Sequence, residues 1–360
     1  MQTNDLQSSP AQSDRQRWLA DGGRRWWLIQ ARAVLLRAIR QFFDRRGFVE
    51  VDPPAIATSP GLELHLDAVA VDLRAGMDAS APLLRRWLVT SPEYHCKRLL
   101  SAELPRIYSM QHAFRSGERG QNHNPEFMML EWYRAGSSYL DLVADSRALL
   151  RHCQKALRQP KLAPLWQLPA PLTPLDALGP WQRVSVREAI ARWGGFDPGR
   201  MDNAARLRDQ ALAAGLDVRP GDGAAEVLLQ ALVERVEPAL ARLPAVVLDR
   251  WPMSLASLAR PFDRHPHLAQ RFEVYLNGVE LANGFTELTD PVEQRRRFEV
   301  DLAARRKLGR PEYPIDERFL RALGELPPAA GVALGVDRLL MALTGTQEIG
   351  DALPFPIEIA

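Results

Sequence analysis

The chain has 360 residues, of which 46% are hydrophobic and 25% charged, with 46 Lys and Arg against 44 Asp and Glu for a net charge of +2. This is the composition of a folded globular protein of about two domains, and a charge so near zero supplies no overall field for nucleic acid or an anionic membrane. Two cysteines, Cys96 and Cys153, are too few for a disulfide framework and fall in no metal-binding pattern; with no signal-peptide core and no uncharged run of membrane-spanning length, a cytoplasmic protein is expected.

Residues 1–25 read as a polar, disordered tail. From Trp26 the apolar residues Val34, Leu35, Ile39, Phe42 and Phe43 recur at helical spacing, and Gly47 marks the stop. "FVEVDPPAI" alternates as a strand and is closed by Pro53 and Pro54. A looser stretch, 57–85, leads to the strand "RWLVT" and to a helix beginning "SPEYHCKRLL", with Ser91 as cap and Pro92 at the first helical position. "PRIYSMQHAFR" and "PEFMMLEWYR" are two strands joined by "SGERGQNHN", which is too long and polar for a tight turn. Residues 138–158 are helical, 159–181 are a Pro-rich connection, and about 180–245 read as an inserted set of small helices. The strand "AVVLDRWP", the hairpin "RFEVYLNGVELANGFTELTD" and the strand-to-helix "GVALGVDRLLMALTG" complete the chain. Antiparallel pairs mixed with helices, without regular strand–helix alternation, predict an α+β fold over 26–360.

Three places hold residues with two readings, one of ordinary packing or solvation and one of chemistry. In the hairpin, a two-residue turn at Asn277-Gly278 sets Leu276 opposite Val279, Tyr275 opposite Glu280 and Glu273 opposite Ala282. Glu273 and Glu280 then share a face as diagonal neighbours about 7–8 Å apart, which suits either a solvated outer face or a joint grip on one hard cation. Strict alternation sends Asn283 and Glu287 to the opposite face, so convergence of all four requires a bulge, expected at Gly284.

In the strand 125–134, Phe127, Met129, Glu131 and Tyr133 share one face, while Met128, Leu130 and Trp132 take the core face. With Arg115 at the end of the incoming strand and His123 and Asn124 in the loop, the first face is either ordinary aromatic packing or a seat for a phosphate attached to a flat base. In "GVALGVDRLL", Gly331 and Gly335 permit close approach to the strand backbone. Arg338 sits in the first turn of the next helix, where a cation needs a partner, either a phosphate or a nearby acid.

Taken in order, "RGFVEVDPP", "HAFRSGERGQNHNPEFMMLEWY" and "GVALGVDRLLM" resemble motifs 1, 2 and 3 of the class II aminoacyl-tRNA synthetases. "TSPEYHCKRLL", "HNPEFMMLEWY" and "ELANGFTELTD" narrow the resemblance to the lysyl-tRNA synthetase core, and still more closely to its shorter paralogue family, the elongation factor P lysine ligases. The fold implied is a class II synthetase catalytic core, a mainly antiparallel sheet flanked by helices, dimerising through the motif 1 region.

The resemblance implies an ATP-dependent, Mg²⁺-requiring enzyme that forms a lysyl-adenylate and passes it to a lysine ε-amine of elongation factor P. In that frame Arg115 binds the α-phosphate and Arg338 the far phosphate, and both are catalytic. Ser116, Gly117, His123, Asn124, Phe127, Leu281 and Gly335 complete the ATP site with Glu280, and Glu273 and Glu280 hold Mg²⁺. Ser91, Pro92, Glu93 and Asn283 line the amino-acid pocket, while Glu287 and Tyr133 receive the side-chain ammonium.

Ala333 stands where lysyl-tRNA synthetases have the middle Gly of G-x-G-x-G-x-D-R, and with it comes the family's preference for (R)-β-lysine over lysine. "FRSGE" departs from the usual Phe-Arg-Asn-Glu, placing Gly117 where the adenine-contacting Glu is expected. Only about 30 residues precede motif 1, so no anticodon-reading module is expected and tRNA is the less favoured acceptor, with a tRNA acceptor end still open. A tRNA- or small-molecule-directed ligase on the same core, and a non-catalytic regulatory paralogue, stand as alternatives.

Overall fold

The structure is a computed structural model and describes residues 24–158 and 181–358. The expected tail up to residue 23 and most of the Pro-rich connection lie outside these residues. Helix α1 (Arg24–Asp44) starts two residues before Trp26 and buries Leu35, Ile39, Phe42 and Phe43 along its apolar stripe. The strand expected next is only two residues long, β1 (Val49–Glu50), because Pro53 and Pro54 follow closely and cannot donate to a ladder.

The stretch read as loose is ordered. β2 (Ile56–Ala57), β3 (Ala70–Arg74) and β4 (Leu83–Leu88) make a separate antiparallel sheet in the order β2-β4-β3. Both longer strands are largely exposed, so no buried face imposed the alternation by which a strand is recognised. Helix α2 (Glu93–Ser101) begins one residue later than expected. Pro92 precedes it and its carbonyl accepts from His95 N and Cys96 N, while Ser91 Oγ accepts from Glu93 N at 3.1 Å.

β5 (Arg106–Phe114) and β6 (Glu126–Ala135) pair antiparallel, followed by α3 (Tyr139–Leu157). β7 (Gln182–Ser185) opens a segment that contains α4 (Ala204–Ala213), α5 (Ala224–Ala231) and several single helical turns. Leu207, Val227 and Leu228 of this segment cluster with Val246, Leu248 and Trp251 of β8 (Ala245–Pro252). β9 (Pro261–Phe262), β10 (His265–Leu276), β11 (Val279–Thr286), α6 (Pro291–Lys307), α7 (Glu317–Leu323), β12 (Ala329–Gly335) and α8 (Val336–Thr344) follow.

Among the described residues the main sheet runs β1-β5-β6-β12-β11-β10-β8-β7, with β9 on β10. Only the two edge pairs, β1 with β5 and β7 with β8, are parallel. One face, carrying Leu130, Trp132, Phe272, Val274 and Leu334, packs on α1, α3 and α8. Each fully buried side chain of this size contributes roughly 1.5–3 kcal/mol. The other face is left as the floor of a cavity, flanked by α2, α6 and α7 around Tyr94, Phe298 and Phe319. The α+β class and the mainly antiparallel sheet are as expected.

The hairpin turn is at Asn277-Gly278, whose positive φ values, 49° and 80°, fit a turn matched to strand twist. The bulge is not at Gly284. Register slips between Tyr275↔Glu280 and Val274↔Ala282, leaving Leu281 as the extra residue, so that Glu273 faces Asn283 and not Ala282. Gly284 is required instead by close packing, since a Cβ there would lie 2.7 Å from Phe272 Cε1, 2.7 Å from Val332 Cβ and 2.9 Å from Gly331 O. Gly284→Ala is therefore expected to destabilise the protein by about 1–3 kcal/mol through overpacking. Urea unfolding should show a lower midpoint at unchanged slope.

Candidate active site

A cavity of about 460 Å³ lies on the open face of the sheet, lined by Ser91, Glu93, Arg115, Tyr133, Glu273, Glu280, Asn283 and Ala333 among others. Those eight are all residues the sequence singled out. The bulge at Leu281 is what assembles them, since it returns Asn283 and Phe285 to the face that Glu273 and Glu280 occupy. Leu281 itself is buried in the opposite, helix-packed core.

At one end of the cavity stands an acidic cage. Glu131 is buried and accepts from Ser91 Oγ at 2.5 Å and from Tyr133 OH at 2.7 Å; burial, then Glu93, push its carboxyl up to about 8. Lys97, also buried, places Nζ 2.5 Å from Glu93 Oε1 and 2.6 Å from Glu287 Oε2. Burial pulls the Lys97 ammonium down, but Glu287 and Glu93 more than reverse this, and it stays charged. Glu287 Oε1 is shielded from solvent and has no hydrogen-bond partner. It abuts Gly331, where a Cβ would lie 2.3 Å from Tyr133 Cε1 and 2.5 Å from Glu287 Oε1. Gly331 thus serves close packing of the cage itself.

Three carboxyl groups surround one lysine, and burial that holds Glu131 up to about 8 pushes Glu287 upward as well, so the cage takes on its full negative charge only when a cation joins it. Buried charge is costly unless matched, so a cage of this composition suits a cationic ligand whose positive groups would ionise it.

At the other end the groups suit phosphate. Arg115 Nη1 is 3.6 Å from Glu118, its guanidinium carbon is 5.1 Å over the Phe127 ring, and its Nε is shielded and unpartnered. Gly117, at φ +80°, makes the turn between Arg115 and Glu118; a Glu at 117 would strain it. The amide of Ser116 is held by Asp67 O at 2.7 Å. Arg338 Nη1 reaches Glu280 O at 3.1 Å and Glu280 Oε2 at 3.4 Å, and Arg338 Nη2 contacts His123 Nε2 at 2.7 Å. So the nearby-acid alternative for Arg338 holds within the chain. That partly buried pair is long, at 3.4 Å, and leaves the rest of the guanidinium fork to other acceptors, so a phosphate can compete with it. A Cβ at Gly335 would meet only the Arg338 side chain, at 3.6 Å, so nothing in the chain itself crowds that position.

Glu273 and Glu280 share the face as expected. Burial, then Glu280, push the Glu273 carboxyl upward, and Arg271 Nη2 at 2.5 Å with Tyr275 OH at 2.7 Å partly compensate. A pair of mutually repelling carboxylates beside an arginine-rich phosphate end fits Mg²⁺, which takes one or two carboxylates and completes its shell with phosphate oxygens and water.

Asn124 stands apart from this cavity. Its Nδ2 donates to Glu126 O and its Oδ1 accepts from Ile357 N, in a second cavity formed by the 120–124 loop and Glu348, Ile349 and Glu358. Pro92 only shapes the approach to α2. Sequence reasoning placed Glu131 on the right face without a role, and gave none to Lys97, Glu63 or Arg271. The Glu93–Lys97 pair was readable as an i, i+4 spacing, whereas Glu63 and Arg271 carried no local signal.

A mainly antiparallel sheet whose open face joins an arginine–carboxylate end to an acidic cage is the frame of a class II tRNA synthetase catalytic domain, and the family model "tRNA synthetases class II (D, K and N)" matches residues 18–359. Proteins called elongation factor P–(R)-β-lysine ligase resemble the chain along nearly all of their length. That of Proteus mirabilis is 40% identical over 329 residues, covering 91% of this chain and 94% of that protein. That of Vibrio vulnificus is 39% identical over 336 residues (92% and 96%), and that of Hamiltonella defensa 36% over 335 residues (91% and 94%). The chain belongs to the class II synthetase family, on its elongation factor P–lysine ligase branch.

Proposed function

We propose that this chain activates (R)-β-lysine, or lysine, with ATP as an aminoacyl-adenylate and transfers it to the ε-amine of a lysine on elongation factor P. The acidic cage carries this reading: its three carboxyls outnumber its single lysine by two, and the two ammonium groups of either lysine isomer would ionise and match them. Glu287 and Tyr133 take the side-chain ammonium, Ser91, Glu93 and Glu131 the other amine, and Asn283 the carboxylate end. Arg115 holds the α-phosphate, Phe127 and the 116–117 turn the adenine side, and Arg338 with His123 the far phosphates.

Mg²⁺, held by Glu273 and Glu280, would draw charge from the phosphates. The substrate carboxylate attacks the α-phosphorus and pyrophosphate leaves, so this chain contributes placement and preset charge and no nucleophile of its own. The acceptor being a translation factor, the activity belongs in the cytoplasm. Among the described residues no helix is long and apolar enough to cross a membrane. A homodimer through the motif 1 region is supported by Val49 and Ile56, which are 49% and 38% exposed there; light scattering reads it directly.

The reading is tested by ATP–pyrophosphate exchange with (R)-β-lysine, lysine and a control panel, followed by intact-mass analysis of elongation factor P and by assay of tRNA charging. No exchange with either lysine isomer would overturn it, as would product confined to tRNA. Ala333 lies across from Asn283 and Glu131 on the neighbouring strands, so its methyl narrows the amino-acid end. Ala333→Gly should shift the kcat/KM ratio toward lysine by roughly 10-fold, the worth of one methyl group in a pocket. An unchanged ratio would remove Ala333 from the selectivity.

A further inference from the structure

Transfer to a protein lysine poses a problem that adenylate formation does not. The acceptor ε-amine has an ordinary pKa of about 10.4, so at neutral pH it arrives as an ammonium without a lone pair. Something must take a proton before the nitrogen can attack. Glu93, Glu131, Glu273 and Glu280 each already have a donor partner.

Glu63 differs from them. It lies on the 61–67 segment between β2 and β3 and lines the cavity beside Arg115 and Glu93. The residue is partly exposed, yet its Oε2 is shielded from solvent and has no hydrogen-bond partner. Gly61, at φ +122°, makes room for it, since a Cβ there would fall 2.6 Å from Glu63 Oε2.

The segment that carries Glu63 is fixed in place. Arg305 of α6 is fully buried and donates through Nη1 to the carbonyls of Glu63 at 2.7 Å, Leu64 at 3.2 Å and Leu66 at 2.9 Å. Its Nη2 holds Asp67 Oδ1 at 2.6 Å, and Asp67 O in turn binds Ser116 N at 2.7 Å. One buried guanidinium thus ties the Glu63 segment to the turn that carries Arg115. Holding a loop this closely costs conformational entropy, which these bonds and the buried Leu62 offset.

We propose that Glu63 is the base of the transfer step, receiving a proton from the ε-ammonium of the acceptor lysine at the cavity mouth, between the amine-binding Glu93 and the phosphate-binding Arg115. This rests on the function proposed above. Glu63 takes the first proton from the ammonium. The freed lone pair then forms the C–N bond to the acyl carbon as the bond from that carbon to the phosphate oxygen breaks, and the electron pair leaves with AMP. The second nitrogen proton passes to the departing phosphate.

The surroundings suit a base at neutral pH. Burial, then Glu93, push the Glu63 carboxyl up to about 7, and Arg115 pulls it back. Glu93 and Tyr94 face it from α2, Arg115 from the β5–β6 loop and Asp301 from α6, with His65 on its own segment. Both the base form and the acceptor's cation are therefore present near pH 7.

The test compares Glu63→Gln and Glu63→Asp with the unaltered enzyme in two assays: lysine-dependent ATP–pyrophosphate exchange, and single-turnover transfer from preformed adenylate to elongation factor P across pH 6–10. Transfer by Glu63→Gln should fall ~10²–10³-fold while exchange stays within about twofold, and Glu63→Asp should recover part of the loss. Transfer by the unaltered enzyme should level off above about pH 7, whereas the Gln variant's should keep rising toward the acceptor's own pKa of about 10.4. Equal losses in exchange and transfer would overturn the proposal by placing Glu63 in lysine binding or folding. So would a Gln variant with the unaltered rate and pH profile. If the unaltered enzyme fails to exchange or to modify elongation factor P, the function proposed above fails, and this inference with it.

Discussion

Glu287→Gln is expected to raise KM for lysine in ATP–pyrophosphate exchange by ~10²–10³-fold, with KM for ATP nearly unchanged. The substitution keeps size and shape and removes one charge from a site that is 1% exposed. Lys97 Nζ, 2.6 Å from Glu287 Oε2, then has only Glu93 as a charged partner, and the unpartnered Oε1, proposed above to receive the substrate ammonium, becomes part of a neutral amide. Removing one partner of a buried charged contact costs about 2–5 kcal/mol, which spans the expected loss. The effect belongs in KM because the ammonium is bound alike before and during adenylate formation. A variant that loses kcat with KM for lysine intact would show that Glu287 does not read the ammonium.

Arg115→Ala should lower kcat and kcat/KM of exchange together by ~10²–10³-fold, the usual loss for one preset donor aimed at developing charge. Its Nε is shielded and unpartnered, and its weak contact with Glu118 at 3.6 Å leaves the fork available to an anion. Arg115→Lys should restore little. An ammonium cannot reproduce a planar fork lying over the Phe127 ring. Recovery of more than half the rate by Lys would mean that simple charge, not the fork, is required.

Much of this site could be read locally. The period of two in "EFMMLEWY" put Met129, Glu131 and Tyr133 on the cavity face and Leu130 and Trp132 in the core, because a strand buried on one side admits only one register. Asn277-Gly278 fixed the hairpin turn for a similarly local reason, as few residue pairs adopt both positive φ values. The bulge was foreseen as necessary but set three residues too late. Gly284 is a glycine because Phe272, Val332 and the Gly331 carbonyl crowd it, and neighbours on other strands cannot be read from the strand itself.

What lay beyond the sequence is of one kind. Lys97 joins Glu93 to Glu287 across 190 positions of chain, and Arg305 clamps a segment 242 residues before it. Such pairings leave no local period, since each is decided by which surfaces the sheet brings together. The sequence by itself determined the element types, the face of each strand and the residue kinds at the site, because backbone geometry and side-chain alternation act over a few residues. Only the tertiary structure decided that Leu281 is the bulged residue, that the cage sets three carboxyls against one lysine, and that Glu63 Oε2 is shielded and unpartnered in the cavity that Arg115 lines. Burial and charge balance are sums over everything packed around a group, and they exist only once the chain has folded.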